Sequence, residues 1–181
     1  MKHAGTQLID TQRLHLRPFR LEDSASMLKN WIADPAIQHE YGEPLYPTID
    51  EVNALLEQWI SRYQQSDFYR WAIIEKVTDA CIGQIAFCRV YSDMKTAEIE
   101  YCIGRSRWGK GYANEALSAV ITYAFENTDF AKLEAYHRAE NRKSGRVLEK
   151  SSMRRTDTVQ RFVLAGEVPA GEVCYCIEKD E

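Results

Sequence analysis

Two carboxylates, Glu98 and Glu100, stand in Ala97-Glu-Ile-Glu-Tyr-Cys-Ile103, a stretch whose alternation and length read as a strand. Side chains alternate along a strand, so the two share one face about 7 Å apart, and Ile99 and Ile103 suit the opposite, buried face. Neighbouring carboxylates repel mildly. Partial desolvation then raises at least one pKa toward the range where the group takes up protons near neutrality. From the strand alone the pair is read in two ways, as solvated edge charges or as a proton acceptor.

Immediately after comes a different chemistry. Gly109 and Gly111 flank Lys110, with Arg105 and Arg107 nearby. From Ala113 the apolar positions 113, 116, 117, 120, 121, 124 and 125 follow the spacing of one helix face. A strand, a glycine-bearing loop and a helix N-terminus form an anion site: the first-turn N–H groups lack helical partners, the dipole there is positive, and glycine tolerates φ > 0. A phosphate or pyrophosphate fits; an ordinary βα connection is the plainer reading. Two familiar phosphate motifs are excluded. The chain has no Gly-x-x-x-x-Gly-Lys-Ser/Thr string, and a dinucleotide fingerprint would need glycine where Asn114 stands, in an early βαβ unit.

The elements that must position these groups follow in order. From Arg13 the chain reads as a first strand ending at Pro18, and 21–32 as a helix that Asp34-Pro35 ends. Residues 36–47, with Gly42, Pro44 and Pro47, read as a loop. Thr48 and Glu51 have capping-box spacing at the start of a second helix. Strands at 69–76, 81–91 and 97–103 form an antiparallel meander, because their connections are too short for crossovers. After the long helix, a strand at 132–137 must run parallel to 97–103. Asn141 caps a short helix to Lys150, and 157–164 and 172–178 are predicted to close the chain as a hairpin-like pair. The fold class is α+β.

Trp108-Gly-Lys-Gly-Tyr-Ala-Asn-Glu-Ala resembles motif A of the GCN5-related N-acetyltransferases (GNAT), most closely the branch of ribosomal-protein N-terminal acetyltransferases. Trp108 stands where the family has Gln or Arg, Gly111 at its glycine and Ala113 at its last small residue. Asn141-Arg-Lys-Ser144, followed by Glu149-Lys150, is the second matching stretch, with Ser152-Met153 in place of the branch's Gly-Phe. The element order agrees with the GNAT order.

The resemblance implies a mixed, mostly antiparallel sheet splayed between two central parallel strands, with helices on both faces. It implies acetyl-CoA as co-substrate and acetyl transfer to a primary amine, on a protein N-terminus, a polyamine or a small molecule, by direct attack in a ternary complex. Backbone N–H groups of Gly109, Lys110, Gly111, Tyr112 and Ala113 would hold the pyrophosphate beside Trp108, and Asn141 the pantetheine arm. Arg146, in a segment (138–161) where basic residues outnumber acidic ones eight to three, would lie near the phosphates. A bulge near Glu100 to Cys102 would free backbone N–H groups, including those of Cys102 and Ile103, for the thioester oxygen. Ala97-Glu98-Ile99 matches the segment where some members place the general base, which favours Glu98, with Glu100 second. The family's general-acid tyrosine falls on Leu148, so Ser144 is the substitute, or else a helix-start residue bonding its backbone. Tyr41 and Tyr46 are candidates to line the acceptor cleft. The alternatives are a catalytically inactive CoA-binding or regulatory protein of the same fold, and a generic phosphate-ligand module.

Composition narrows the setting. The 181 residues suit a single domain, 1–181, with 45% hydrophobic and 28% charged residues. A net charge of −4 argues against a general nucleic-acid binder. No apolar run reaches the length of a membrane span and the N-terminus lacks a signal-peptide core, so a cytoplasmic location is expected. The five cysteines read as buried free thiols, and no histidine pairs with them at metal-ligand spacing, so no metal is expected. Monomer and homodimer are both compatible with the sequence.

Overall fold

The computed structural model describes residues 1–179. Its centre is an eight-stranded sheet: β1 (Ile9–Asp10), β2 (Leu14–Arg17), β3 (Arg70–Glu75), β4 (Ala80–Tyr91), β5 (Thr96–Ile103), β6 (Lys132–Arg138), β7 (Arg154–Thr156) and β8 (Glu172–Glu178). The spatial order is β1-β2-β3-β4-β5-β6-β8-β7. Every pairing is antiparallel except β5 with β6, the pair joined by the long helix α4 (Tyr112–Asn127).

That parallel seam is short. It pairs Thr96 with Lys132, Ala97 with Leu133 and Glu98 with Glu134, and ends there. β5 continues along β4 to Ile103, and β6 continues along β8 to Arg138. The two halves of the sheet therefore diverge beyond Glu98. The expected splay is present, but the bulge lies elsewhere: the extra residue is Cys88 of β4, between Phe87 (opposite Ile99) and Arg89 (opposite Glu98), not in Glu100 to Cys102. An extra residue bends its own strand and increases local twist, so β4 carries β5 away from β6.

Helix α4 lays Ala116, Leu117, Val120, Ile121 and Ala124 on one face of the sheet, against Leu16, Trp71, Ile85, Ile99 and Leu133. The short helix α5 (Arg142–Glu149) joins this face through Leu148. Gly145 lets it come close, because a Cβ there would stand 2.9 Å from the His137 ring.

The opposite face is covered by α1 (Ser24–Met27), α2 (Pro35–Tyr41) and α3 (Ile49–Arg62), whose Met27, Ile37, Val52 and Leu56 pack on Ala72, Ile74 and Cys102. A 3-10 turn, Leu21–Asp23, precedes α1 and a π-type turn, Leu28–Ile32, follows it, which together fill the expected 21–32 helix. Thr48 and Glu51 form the capping box of α3.

Two expectations are corrected. Residues 36–47 are not all loop, because α2 occupies Pro35–Tyr41: Asp34 Oδ1 accepts from the N–H groups of Ala36 and Ile37, and Pro35 takes the first helical position, where its missing donor costs nothing. Residues 157–164 are not a strand, because α6 (Gln160–Ala165) forms there. Its Phe162 packs edge-on against Tyr136, and the buried Glu134 carboxylate accepts from Gln160 N–H at 2.7 Å, capping the first turn. The strand paired with β8 is instead the short β7. Among the described residues no helix is long and apolar enough to cross a membrane. The five cysteines are free, four buried and Cys88 half-buried.

Candidate active site

Where β5 and β6 part, a cavity of about 310 Å³ opens between the two halves of the sheet. Nine of the candidate site residues read from the sequence line it: Tyr41, Glu98, Glu100, Cys102, Ile103, Trp108, Ala113, Asn141 and Ser144. Gly109, Lys110, Gly111 and Tyr112 do not line it, and neither does Arg146; the first four form the turn between Trp108 and Ala113, at its edge.

That turn is built as an anion site. Gly109 and Gly111 have φ of +73° and +80°. Gly111 is the N-cap of α4 and offers no side chain to cap it, so the first-turn N–H groups are not taken by a capping residue. A Cβ at Gly111 would come no nearer than 3.5 Å to any atom, the Arg13 Nη2, so glycine is required by its left-handed backbone and not by crowding from the protein. Arg13 fixes the turn from outside: Nη1 donates to the Lys110 carbonyl, Nε bonds Glu115, and the guanidinium lies 4.5 Å from the Tyr112 ring centroid. The Tyr112 side chain points away from the cavity, its hydroxyl donating to Glu75. Arg107 also bonds Glu75, and these hydrogen bonds hold that carboxyl down at about 2. Arg107 is thus a strut of the loop, and Arg105 makes a two-pronged pair with Asp34. Arg146 is exposed on α5, and among the described residues its side chain bonds only the Arg142 carbonyl.

Glu98 sits at the last residue pair of the seam and is 2% exposed. Its Oε1 accepts from the Cys88 thiol at 3.2 Å and pairs with Arg161 at 3.0 Å, while its Oε2 is buried without a hydrogen-bond partner among the described residues. Burial pushes the Glu98 carboxyl up, and Arg161 opposes that rise. Arg161 comes from α6, where it also bonds the Tyr136 hydroxyl. Glu100 lies on the same face, paired at 2.9 Å with Arg70, whose other arm bonds Gln84. Neither carboxylate is a solvated edge charge. Cys102 is buried, and its thiol is pushed up by desolvation and by the Glu100 charge, so it is a poor nucleophile.

On the opposite face of β5 the Tyr101 hydroxyl lies 3.0 Å from Ser144 Oγ. Ser144 N–H in turn donates to Asn141 Oδ1, the cap of α5, so Ser144 is both a helix-start residue and a side-chain partner of a tyrosine. Leu148, at the family's tyrosine position, is fully buried in the core. Trp108 Nε1 donates to the Ile103 carbonyl, and Lys143 Nζ sits 3.7 Å from its ring centroid while pairing with Glu40 across the mouth. Tyr41 lines the cavity with its hydroxyl buried; Tyr46 packs instead in the α1–α3 core.

Sequence reasoning missed Tyr101, Arg161, Cys88 and Arg70. Tyr101 was readable, since strand alternation places it opposite Glu100 and toward the helix that Asn141 begins. Arg161 carried no signal, because its reach to Glu98 depends on α6 and on the splay. Among the described residues no group of three or more His, Cys, Asp or Glu could hold a metal ion.

The model of the acetyltransferase (GNAT) domain matches residues 13–154. The uncharacterized N-acetyltransferase p20 of Bacillus licheniformis is 30% identical over 152 residues, covering 84% of this chain and 85% of its own. Among solved structures, an acetyltransferase of the GNAT family from Bacillus anthracis has a TM-score of 0.78 at 23% identity, over 97% of this chain and 100% of that one. RimJ of Mycobacterium smegmatis, in complex with CoA-disulfide, has a TM-score of 0.77 at 21% identity, over 98% of this chain and 90% of that one. Those two likenesses are of fold.

Proposed function

Because this chain belongs to the acetyltransferase (GNAT) family and is an acetyltransferase, we propose that it moves the acetyl group of acetyl-CoA to a primary amine by direct attack in a ternary complex. The observation that carries this reading is the divergence of β5 from β6 beside an uncapped, glycine-led helix, with a buried carboxylate at the last pair of the seam. The residues present suit CoA: two left-handed glycines ahead of α4 let an anion approach the first-turn N–H groups, and the fold neighbour RimJ is described in complex with CoA-disulfide. Bound acetyl-CoA supplies the activated acyl group.

The chain's own residues do the rest. The N–H groups of Gly109 to Ala113 hold the pyrophosphate. The edge of β5 beyond Glu98, released from β6, presents backbone N–H groups toward the reacting carbonyl, where developing negative charge is stabilised. Glu98 takes a proton through Oε2, directly or by one water, from the incoming ammonium before attack or from the amine nitrogen as it bonds to the thioester carbon. The Tyr101–Ser144 pair donates a proton to the leaving thiolate. Asn141 orients the pantetheine arm from the other wall. Alignment alone contributes several kcal/mol.

The test is a panel of primary amines with acetyl-CoA, reading free thiol release and acetylated product together. Release that depends on the amine, with one acetyl group per thiol, is the expected result. Tight acetyl-CoA binding with no amine-dependent release from any member of the panel would place the chain with catalytically inactive CoA binders.

A further inference from the structure

The bulge in β4 sets two residues, Cys88 and Arg89, where β5 has only Glu98. Arg89 is exposed, whereas Cys88 is half-buried and lines the cavity. The Cys88 Sγ lies 3.2 Å from Glu98 Oε1 and 3.5 Å from the Glu98 carbonyl oxygen. A thiol has one proton to give, and the nearer, charged oxygen takes it. Burial first, then the Glu100 and Glu98 charges, push the thiol up, so the proton stays on sulfur and Cys88 acts as a donor.

Oε1 thus receives two donors, the Cys88 thiol and Arg161, which fill the two lone pairs of that oxygen. Oε2, on a side chain only 2% exposed, has no hydrogen-bond partner among the described residues and is the oxygen left for a ligand. The other charged groups around Glu98 are engaged elsewhere. Glu100, on its own strand, pairs with Arg70. Glu134, its register partner on β6, pairs with Lys132 and caps α6, and Tyr136 bonds Arg161. Glu40 of α2 pairs with Lys143, and Arg89 acts on Glu98 only by its charge. Tyr91 of β4 and Cys174 of β8 are pushed up by burial, with the Glu98 charge adding to it, and stay neutral.

We propose that Cys88 is a positioning residue for the base: its thiol, together with Arg161, pins Oε1 and so aims Oε2 at the acceptor nitrogen. This rests on the reading of Glu98 as the base of an acetyltransferase site. The choice of sulfur matters. A thiol is a weak donor, so it fixes the carboxylate without stabilising it as far as a hydroxyl would, and Glu98 keeps more of its strength as a base.

The experiment reads the Glu98 carboxyl directly, by carbon NMR on the full chain labelled in glutamate, with Glu98→Gln identifying its signal. Beside it stands the pH profile of kcat for thiol release from acetyl-CoA with the panel amine that turns over fastest. Cys88→Ala, which loses the donor, should titrate higher than wild type by roughly half a unit. Cys88→Ser, which keeps a donor, should titrate at or below the wild-type value. The acidic limb of kcat should follow the titration in each. Cys88→Ala should lose about threefold to tenfold in plateau kcat with KM for acetyl-CoA unchanged, and Cys88→Ser should recover most of it. A residue that only fills the bulge would alter stability and leave the titration in place. A Cys88→Ala carboxyl that titrates at or below wild type, a Cys88→Ser carboxyl that rises as far as that of Cys88→Ala, or an unchanged plateau in Cys88→Ala would overturn the proposal. Should no amine of the panel release thiol, the titration still decides. A rise in Cys88→Ala that Cys88→Ser abolishes upholds the hold of the thiol on Glu98 and rejects acetyl transfer; no rise rejects both.

Discussion

Glu98 is held by opposing forces. Its burial favours the neutral acid, whereas Arg161 favours the carboxylate. A general base must be deprotonated to act, so the rate should rise with pH through a value above the ordinary glutamate range. Replacing Arg161 with Gln removes the charge that holds the pKa down, and the acidic limb should then move to higher pH. Glu98→Gln should lose roughly a hundredfold in kcat and keep its acetyl-CoA affinity. The pH profiles of kcat for the wild type and the two variants decide this. A Glu98→Gln enzyme at wild-type rate with the same limb would show that positioning alone drives the reaction, and loss of the limb in Glu100→Gln instead would move the role to Glu100. The pairing of both carboxylates with arginines was beyond sequence reasoning. Strand alternation put them on one face, but Arg70 and Arg161 arrive from β3 and α6, far away in the chain.

At the scale of elements, the start of α4 hangs on Glu75. This carboxylate, at the end of β3, takes bonds from Arg107 before the glycine turn, from Tyr112 after it and from Thr78. Its folded pKa, about 2, lies below its ordinary 4.5. A depressed carboxyl contributes stability that is complete above its unfolded value and lost as pH falls toward the folded one. Glu75→Gln should therefore cost about 2 kcal/mol at pH 7, a Tm drop of roughly 5 °C. By pH 3 the gap to wild type should narrow by about half. Scanning calorimetry at the two pH values checks this, and a gap that does not change with pH would show that the carboxylate charge is not the anchor. The helix itself was legible, because seven apolar positions at helical spacing leave little choice. α2 and α6 were not. Asp34-Pro35 stops one helix and also starts the next, since a capping Asp before Pro at the first position serves both. Val159, Phe162, Val163 and Leu164 read as a strand by apolar content, but only Val159 and Phe162 are buried, and the cap from Glu134 favours the helical turn.

At the scale of the molecule, the sheet is two sheets joined by three residue pairs. Among the described residues, the β6-facing edge of β5 from Ile99 to Ile103 has no ladder partner, and nor has the β5-facing edge of Ala135 to Arg138. Two ion pairs span the gap among the described residues: Arg161 with Glu98, and Lys143 with Glu40. Backbone groups without ladder partners exchange their hydrogens readily, and a ligand lying between the strands would replace the missing ladder. Acetyl-CoA at a hundredfold over its Kd should add about 2.7 kcal/mol to stability, raising Tm by roughly 5–10 °C. The location of the effect is the sharper test. In hydrogen exchange read by mass spectrometry, peptides covering 99–103 and 135–138 should slow by about tenfold or more beyond the global stabilisation, as should 109–113 at the phosphate turn. The centre of β3, paired on both sides, should show only the global change. Protection spread evenly over β3 and β5 would mean that the ligand does not lie in the gap, and the splay would then be a feature of packing with no part in binding.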